Sequence, residues 1–170
     1  MTIRPLAPSD SLAELTLLLN RAYKELADQG WNYTASFQDE ETTRYRVGEG
    51  VCFVALSEGK MVGTVMLVTE GFRNGPLEYQ AEGACVLGQF GVDPDRRGEK
   101  IGDRLATALE EEAVRLGFKT LLLDTAETAT KLIEYYRRRG FCEVGHHQWR
   151  DKTYRSVVMA KPLLERKDDV

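Results

Sequence analysis

Residues 89–105, QFGVDPDRRGEKIGDRL, combine the residue types and spacing that could hold an anion. An extended apolar run ends at Asp93 and Pro94, since proline cannot donate to a strand ladder, and an amphipathic helix begins a few residues later. Such a helix start leaves backbone N–H groups without intrahelical partners and adds the positive end of the helix dipole, so a phosphate is the natural guest. Gly98 and Gly102 lack a Cβ that would keep a diphosphate away, while Arg96, Arg97, Lys100 and Arg104 add positive charge. A capped helix with solvated basic residues is the competing structural reading. Neither GxGxxG nor GxxxxGK[ST] is present, which disfavours a dinucleotide or P-loop site.

Two further groups have chemical potential. In LIEYYRRRGF the adjacent Tyr135 and Tyr136 lie on a helical pattern, where neighbours point about 100° apart, so one of them can face a given site and the other cannot. Both could equally be packing residues. The stretch WNYTASFQ offers Trp31, Tyr33 and Phe37, which can enclose a ligand or pack the loop, and Trp149 poses the same choice.

The segment VDPDRRGEKIGDRL resembles the acetyl-CoA motif of GNAT acetyltransferases, V-x-P-x-x-R-G-x-G-I-G-x-x-L. Arg97, Gly98, Ile101, Gly102 and Leu105 fall on matching positions, whereas Lys100 stands where a glycine is usual. LIEYYRRRGF is similar to the family's Y-x-x-x-G-F segment, and counting back four from Gly140 selects Tyr136. The resemblance implies that Tyr136 is the general acid to the departing thiolate. It implies the diphosphate of acetyl-CoA at Arg97, Gly98, Glu99, Lys100, Ile101, Gly102 and Asp103, with the pantetheine arm on the backbone of Phe90, Gly91 and Val92. The acceptor wall would then involve Trp31, Tyr33 and Phe37.

The implied reaction moves an acetyl group from acetyl-CoA to a primary amine, first of a small molecule such as a polyamine, amino sugar or amino acid derivative, and second of a peptide or protein. A non-catalytic acyl-CoA-binding or sensor module is the alternative class, and a homodimer is compatible with the family. An amine of pKa ~10.4 must lose a proton before it attacks. Many family members place a glutamate on the fourth strand for this purpose, but LGQFGV has no carboxylate. Glu82, Asp39, Glu40, Glu41, or His146 and His147 acting through water are the candidates that remain.

The elements that must position these groups follow from periodicity. MTIRPLA reads as a short strand, and a helix is expected over residues 11–29, opened by a Ser11/Glu14 capping box and carrying Leu12, Leu15, Leu19, Tyr23 and Leu26 at helical spacing. A short second helix over Glu40–Val47 precedes a hairpin formed by VCFVAL and MVGTVMLV, with Gly59 in its turn. ACVLGQFGV is the fourth strand. Ile101, Leu105, Leu109, Ala113 and Leu116 mark a helix closed by Gly117, KTLLLDTA is a buried fifth strand, and a helix through Ala129, Leu132, Ile133 and Tyr136 closes at Gly140. FCEVGHH and TYRSVVMAK are the last strands, before a charged tail. The order is mixed α/β, α+β-like. With the resemblance it implies the GNAT fold: a mostly antiparallel sheet of about seven strands, splayed at strand four, with about four helices.

Composition bounds the rest. One acetyltransferase domain over residues 1–170 is expected, since 170 residues suit a single core. With 27 acidic and 23 basic residues the net charge of −4 disfavours sequence-independent nucleic-acid binding, and no aromatic-basic interleaving is present. Cys52, Cys85 and Cys142 lie far apart without zinc spacing, so reduced thiols and no metal are expected. No apolar run approaches the ~18 residues of a membrane span and no leader pattern opens the chain, so the expectation is a cytoplasmic protein without a membrane partner.

Overall fold

The computed structural model describes residues 1–70, 72 and 74–164; the charged tail from residue 165 onward lies outside them. Among the described residues the chain runs β1 (Thr2–Pro5), α1 (Leu12–Asp28), α2 (Thr34–Phe37), α3 (Glu40–Val47), β2 (Gly50–Ser57), β3 (Lys60–Val68), β4 (Ala84–Val92), α4 (Ile101–Arg115), β5 (Thr120–Ala126), α5 (Thr130–Arg138), β6 (Cys142–His147) and β7 (Ser156–Pro162). Short 3-10 turns at Leu77–Gln80 and Pro94–Arg96 lead into and out of β4. No helix among the described residues is long and apolar enough to cross a membrane.

Local sequence accounts for most of these boundaries. Ser11 caps α1 by accepting from the Glu14 N–H. The expected reciprocal contact of Glu14 is redirected: its carboxylate accepts from the Met61 N–H at 2.8 Å and so ties α1 to β3. α1 buries Leu15 and Leu19 as its helical period predicts and adds Leu18 and Ala22, while the expected Leu12, Tyr23 and Leu26 are half-buried. The one-turn helix α2 has no periodic signal in the aromatic and polar stretch where it lies, and sequence reasoning passed over it. β7 starts at Ser156, three residues after the strand expected from Thr153.

The strands form one sheet in the order β1-β2-β3-β4-β5-β7-β6, and every neighbouring pair is antiparallel except β4 with β5. That parallel pair extends only from Ala84↔Thr120 to Val86↔Leu122, although β5 continues beside β7 to Ala126↔Ser156. Beyond Val86 the two strands part, which is the splay expected at strand four. A bulge accompanies it: β3 and β4 pair Met66↔Gly88 and then Thr64↔Gly91, so Gln89 and Phe90 both oppose Val65. Gln89 takes φ 46° to make this turn.

Helices cover both faces. α4 and α5 pack Leu105, Leu109 and Ile133 against Val65, Leu121, Leu123 and Met159, while α1 packs Leu15 and Leu19 against Val54 and Met66 on the other side. Two glycines permit this approach at the sheet centre. A Cβ on Gly63 would sit 2.8 Å from Leu105 Cδ1 and 2.9 Å from Ile101 Cγ2, and one on Gly91 would sit 2.9 Å from Ala22 Cβ. The Gly91 contact is the stiffer, because a methyl on the α1 backbone has no rotamer into which to retreat. Gly91→Ala is therefore expected to cost about 1–3 kcal/mol in urea unfolding, as overpacked sites do. An unchanged midpoint would contradict this packing.

Candidate active site

The parting of β4 and β5 opens a cavity of about 1060 Å³. This is at the upper limit of the ~300–1,000 Å³ of ordinary small-molecule sites, enough for a long ligand and a second small one.

One part of its lining is the start of α4. Gly98 has φ +87° and Lys100, the residue preceding the first helical turn, has φ 58°. No side chain caps this helix end, so the first N–H groups of α4 remain available to a ligand. Lys100 occupies the left-handed region that favours glycine, at a cost of roughly 1–2 kcal/mol for an L-residue. Arg97, Gly98, Lys100, Ile101, Gly102 and Asp103 line the cavity. Glu99 does not; it binds Arg96 through two bonds of 2.6 and 2.8 Å. Arg97 donates to Glu25 at 2.6 Å. Asp103 accepts from the Tyr135 hydroxyl at 3.0 Å, which occupies that tyrosine at the α4 end.

Tyr136 lies deeper. It is 7% exposed, packed edge-on against Tyr135 and Phe141, and its hydroxyl makes no hydrogen bond to a described residue although it lines the cavity. Burial, reinforced by the nearby Tyr23, Tyr135, Tyr33 and Asp124 oxygens, raises its pKa well above the ordinary value. It therefore stays protonated at neutral pH. Phe90, Gly91 and Val92 line the same cavity. The Phe90 N–H, turned by the bulge, points to the Tyr23 hydroxyl, whose pKa burial pushes up to about 12 against the opposing charge of Arg46.

The remaining wall is aromatic. Trp31 and Tyr33 line it as expected from the sequence, and Tyr33 is fixed by hydrogen bonds with Thr125 Oγ1 at 2.7 Å and from the Ala126 N–H at 3.0 Å. Phe37 departs from that expectation, since it is 71% exposed and outside the cavity. The reason is the single turn of α2, which buries Ala35 and directs Phe37 to the opposite side.

A carboxylate that sequence reasoning missed stands in this wall. Asp124 on β5 accepts from the Tyr79 hydroxyl at 2.6 Å, Trp149 Nε1 at 2.9 Å and Ser156 Oγ at 2.7 Å. Its signal was one acid interrupting the apolar run TLLL, where burial demands partners. The six base candidates taken from the sequence all lie outside the cavity. Asp39 caps α3 through the Thr42 N–H, Glu40 pairs with Arg44, Glu41 and Glu82 are exposed, His146 lies 3.6 Å from Glu127, and His147 packs on Trp149. Their lone pairs or rings serve turns and surface pairs instead.

Residues 13–141 match the model of a family described as the acetyltransferase (GNAT) family. The chain is 32% identical over 158 residues to S-(2-succino)cysteine N-acetyltransferase of Bacillus subtilis, covering 91% of this chain and 90% of that protein. It is 25% identical over 163 residues to the S-alkylcysteine N-acetyltransferase of the same organism, covering 94% of this chain and 88% of that protein. Among solved structures, the Escherichia coli ribosomal-protein-S18-alanine N-acetyltransferase superposes with a TM-score of 0.72 at 20% identity, covering 99% of this chain and 97% of that one. An aminoglycoside 6'-N-acetyltransferase complexed with coenzyme A superposes with a TM-score of 0.68 at 20% identity, covering 99% and 100%. These structural likenesses concern the fold.

The backbone angle at Lys100 makes a direct prediction. Lys100→Gly removes the left-handed penalty but gives the unfolded chain more freedom, so it should leave stability unchanged or raise it by up to about 1 kcal/mol. Lys100→Val should lower it, and thermal unfolding of the two variants measures the difference.

Proposed function

The chain belongs to the acetyltransferase (GNAT) family, and on that premise we propose that it transfers the acetyl group of acetyl-CoA to the primary amine of a small molecule. Residues 1–170 act as one acetyltransferase domain in this reading. The observation that carries it is the single cavity joining the uncapped start of α4 to Tyr136 and Asp124 across the parted strands. An acceptor resembling the S-substituted cysteines named in two relatives suits the aromatic wall.

The residues divide the chemistry by position. The backbone N–H groups of residues 98–103, with Arg97 and Lys100, fit a diphosphate, because no side chain caps them and the space beside Gly98 is open. The backbone of Phe90, Gly91 and Val92, released from β5, fits the pantetheine arm. When bound there, acetyl-CoA supplies an activated thioester. Asp124, fixed by three donors, holds the acceptor ammonium and takes its proton, leaving the neutral amine to attack. Tyr136 then gives its proton to the departing sulfur, the proton released by the newly acylated nitrogen restores it, and Asp124 returns the proton it took to solvent as the product leaves. One C–N bond forms and one C–S bond breaks.

Free-thiol release with an amine panel tests the proposal. Tyr136→Phe should lower kcat roughly 10²-fold or more while acetyl-CoA affinity changes by less than about threefold, since a proton donor is lost with little packing. Equal turnover would remove Tyr136 from the reaction. Asp124→Asn should lower kcat/KM by a similar order, with acetyl-CoA binding intact. Acetyl-CoA binding by the wild type with no thiol release for any amine would favour the non-catalytic acyl-CoA-binding reading.

A further inference from the structure

Arg46 lies in the last turn of α3 and lines the cavity on the side proposed for the acceptor. Three other cations of the lining have visible counterparts: Arg96 is paired with Glu99, Arg97 with Glu25, and Lys152 with Asp151. Lys100 and Lys131 lie at the α4 and α5 starts, beside the proposed phosphate site. Arg46 differs. Its hydrogen bond is to a neutral group, Nη1 to Gln38 Oε1 at 2.9 Å, and among the described residues no carboxylate forms an ion pair with it. Its surroundings are dry enough that desolvation pulls its pKa below the ordinary value, against the longer-range pull of Tyr23, Glu49, Asp124 and Tyr154.

A guanidinium in that position costs free energy that an anion would recover. Surface solvation at a helix C-terminus does not explain it, since the exposed Arg44 on the same helix already takes that role beside Glu40. Gln38 holds Arg46 in place. Its amide nitrogen donates to Thr43 Oγ1 at 2.8 Å and to Gln89 Oε1 at 3.0 Å, and Thr43 in turn shares a 2.7 Å hydrogen bond with Thr16. The fork therefore stands two hydrogen bonds, through Gln38, from Gln89 at the β4 bulge. It also lies close enough to Tyr23, beside the Phe90 N–H, to perturb that hydroxyl.

We propose that Arg46 anchors a carboxylate of the acceptor, so that the group acetylated is the amino group of an α-amino acid and not of a simple amine. This deepens the acetyl-transfer reading and rests on it. The short link from Arg46 to the bulge suits a carboxylate attached to the same carbon as the reacting nitrogen. Asp124 takes the ammonium, Arg46 the carboxylate, and the aromatic wall of Phe72, Tyr79 and Trp149 takes the side chain. A planar fork matches a carboxylate by two parallel N–H···O bonds, which a lysine does not reproduce.

The test compares an S-benzyl-substituted cysteine, its carboxamide, and the matching amine without the carboxyl carbon, on the full-length protein with acetyl-CoA. The wild type should favour the free acid by at least roughly 100-fold in kcat/KM. Arg46→Met should bring that ratio close to one and Arg46→Lys should give an intermediate value, with acetyl-CoA affinity and melting temperature reporting that both variants are folded. A wild type that acetylates the carboxamide as well as the acid, or an Arg46→Met variant that keeps the preference, overturns the proposal. If acetyl-CoA binds but none of the three is acetylated, the anion site is judged apart from turnover, by calorimetry. N-acetyl-S-benzylcysteine should bind the wild type with coenzyme A present about 10-fold or more tightly than it binds Arg46→Met. Equal binding, or none to the wild type, overturns it.

Discussion

Hydrogen bonding between β4 and β5 stops after Val86↔Leu122, and the rest of the site depends on that interruption. Parallel strands normally continue to pair, because unpaired backbone groups within a sheet are costly. Here the bulge at Gln89 and Phe90 turns β4 away, and α1 packs tightly enough against Gly91 to hold it there. The gap exposes backbone for a ligand arm, admits Tyr136 from α5 on one side and Tyr23 from α1 on the other, and leaves Asp124 accessible on the β5 wall. Two of the three left-handed non-glycine residues among the described ones, Gln89 at the bulge and Lys100 before α4, line the cavity and mark where its backbone is held in less favourable angles.

Charge is distributed along this gap in a consistent order. Backbone N–H groups and basic side chains gather at the start of α4, neutral tyrosine hydroxyls and the carboxylate of Asp124 line the gap between the strands, and Arg46 lines it from α3, on the side proposed for the acceptor. Burial keeps Tyr23 and Tyr136 protonated, so the central groups can donate without adding charge where the thioester would sit. The network of Thr16, Thr43, Gln38 and Gln89 links α1, α3 and β4 through buried polar contacts, and it fixes Arg46 relative to the bulge.

The fold was largely legible because its helices and strands carry clear periods. Leu15 and Leu19, or Leu105 and Leu109, are buried where their spacing requires. The α4 start was legible from Gly98, Gly102 and the flanking arginines; spacing alone left Tyr135 and Tyr136 open, both of which line the cavity, and the resemblance to the Y-x-x-x-G-F segment selected Tyr136. The acceptor side was not. Asp124 and Tyr79 are brought together from positions 45 residues apart, and Trp149 joins them from another loop, so no local spacing announces the cluster. Arg46 and the exposed Phe37 were obscure for a related reason: the orientation of short helices such as α2 and α3 is set by tertiary contacts, not by their own sequence.

A crystal structure with coenzyme A bound tests the central claim most directly. The account predicts the diphosphate on the N–H groups of residues 98–103, the pantetheine arm along Phe90 to Val92, and the sulfur within hydrogen-bond reach, roughly 3–4 Å, of the Tyr136 hydroxyl. A sulfur directed away from the gap between β4 and β5, or a diphosphate bound elsewhere, would contradict it.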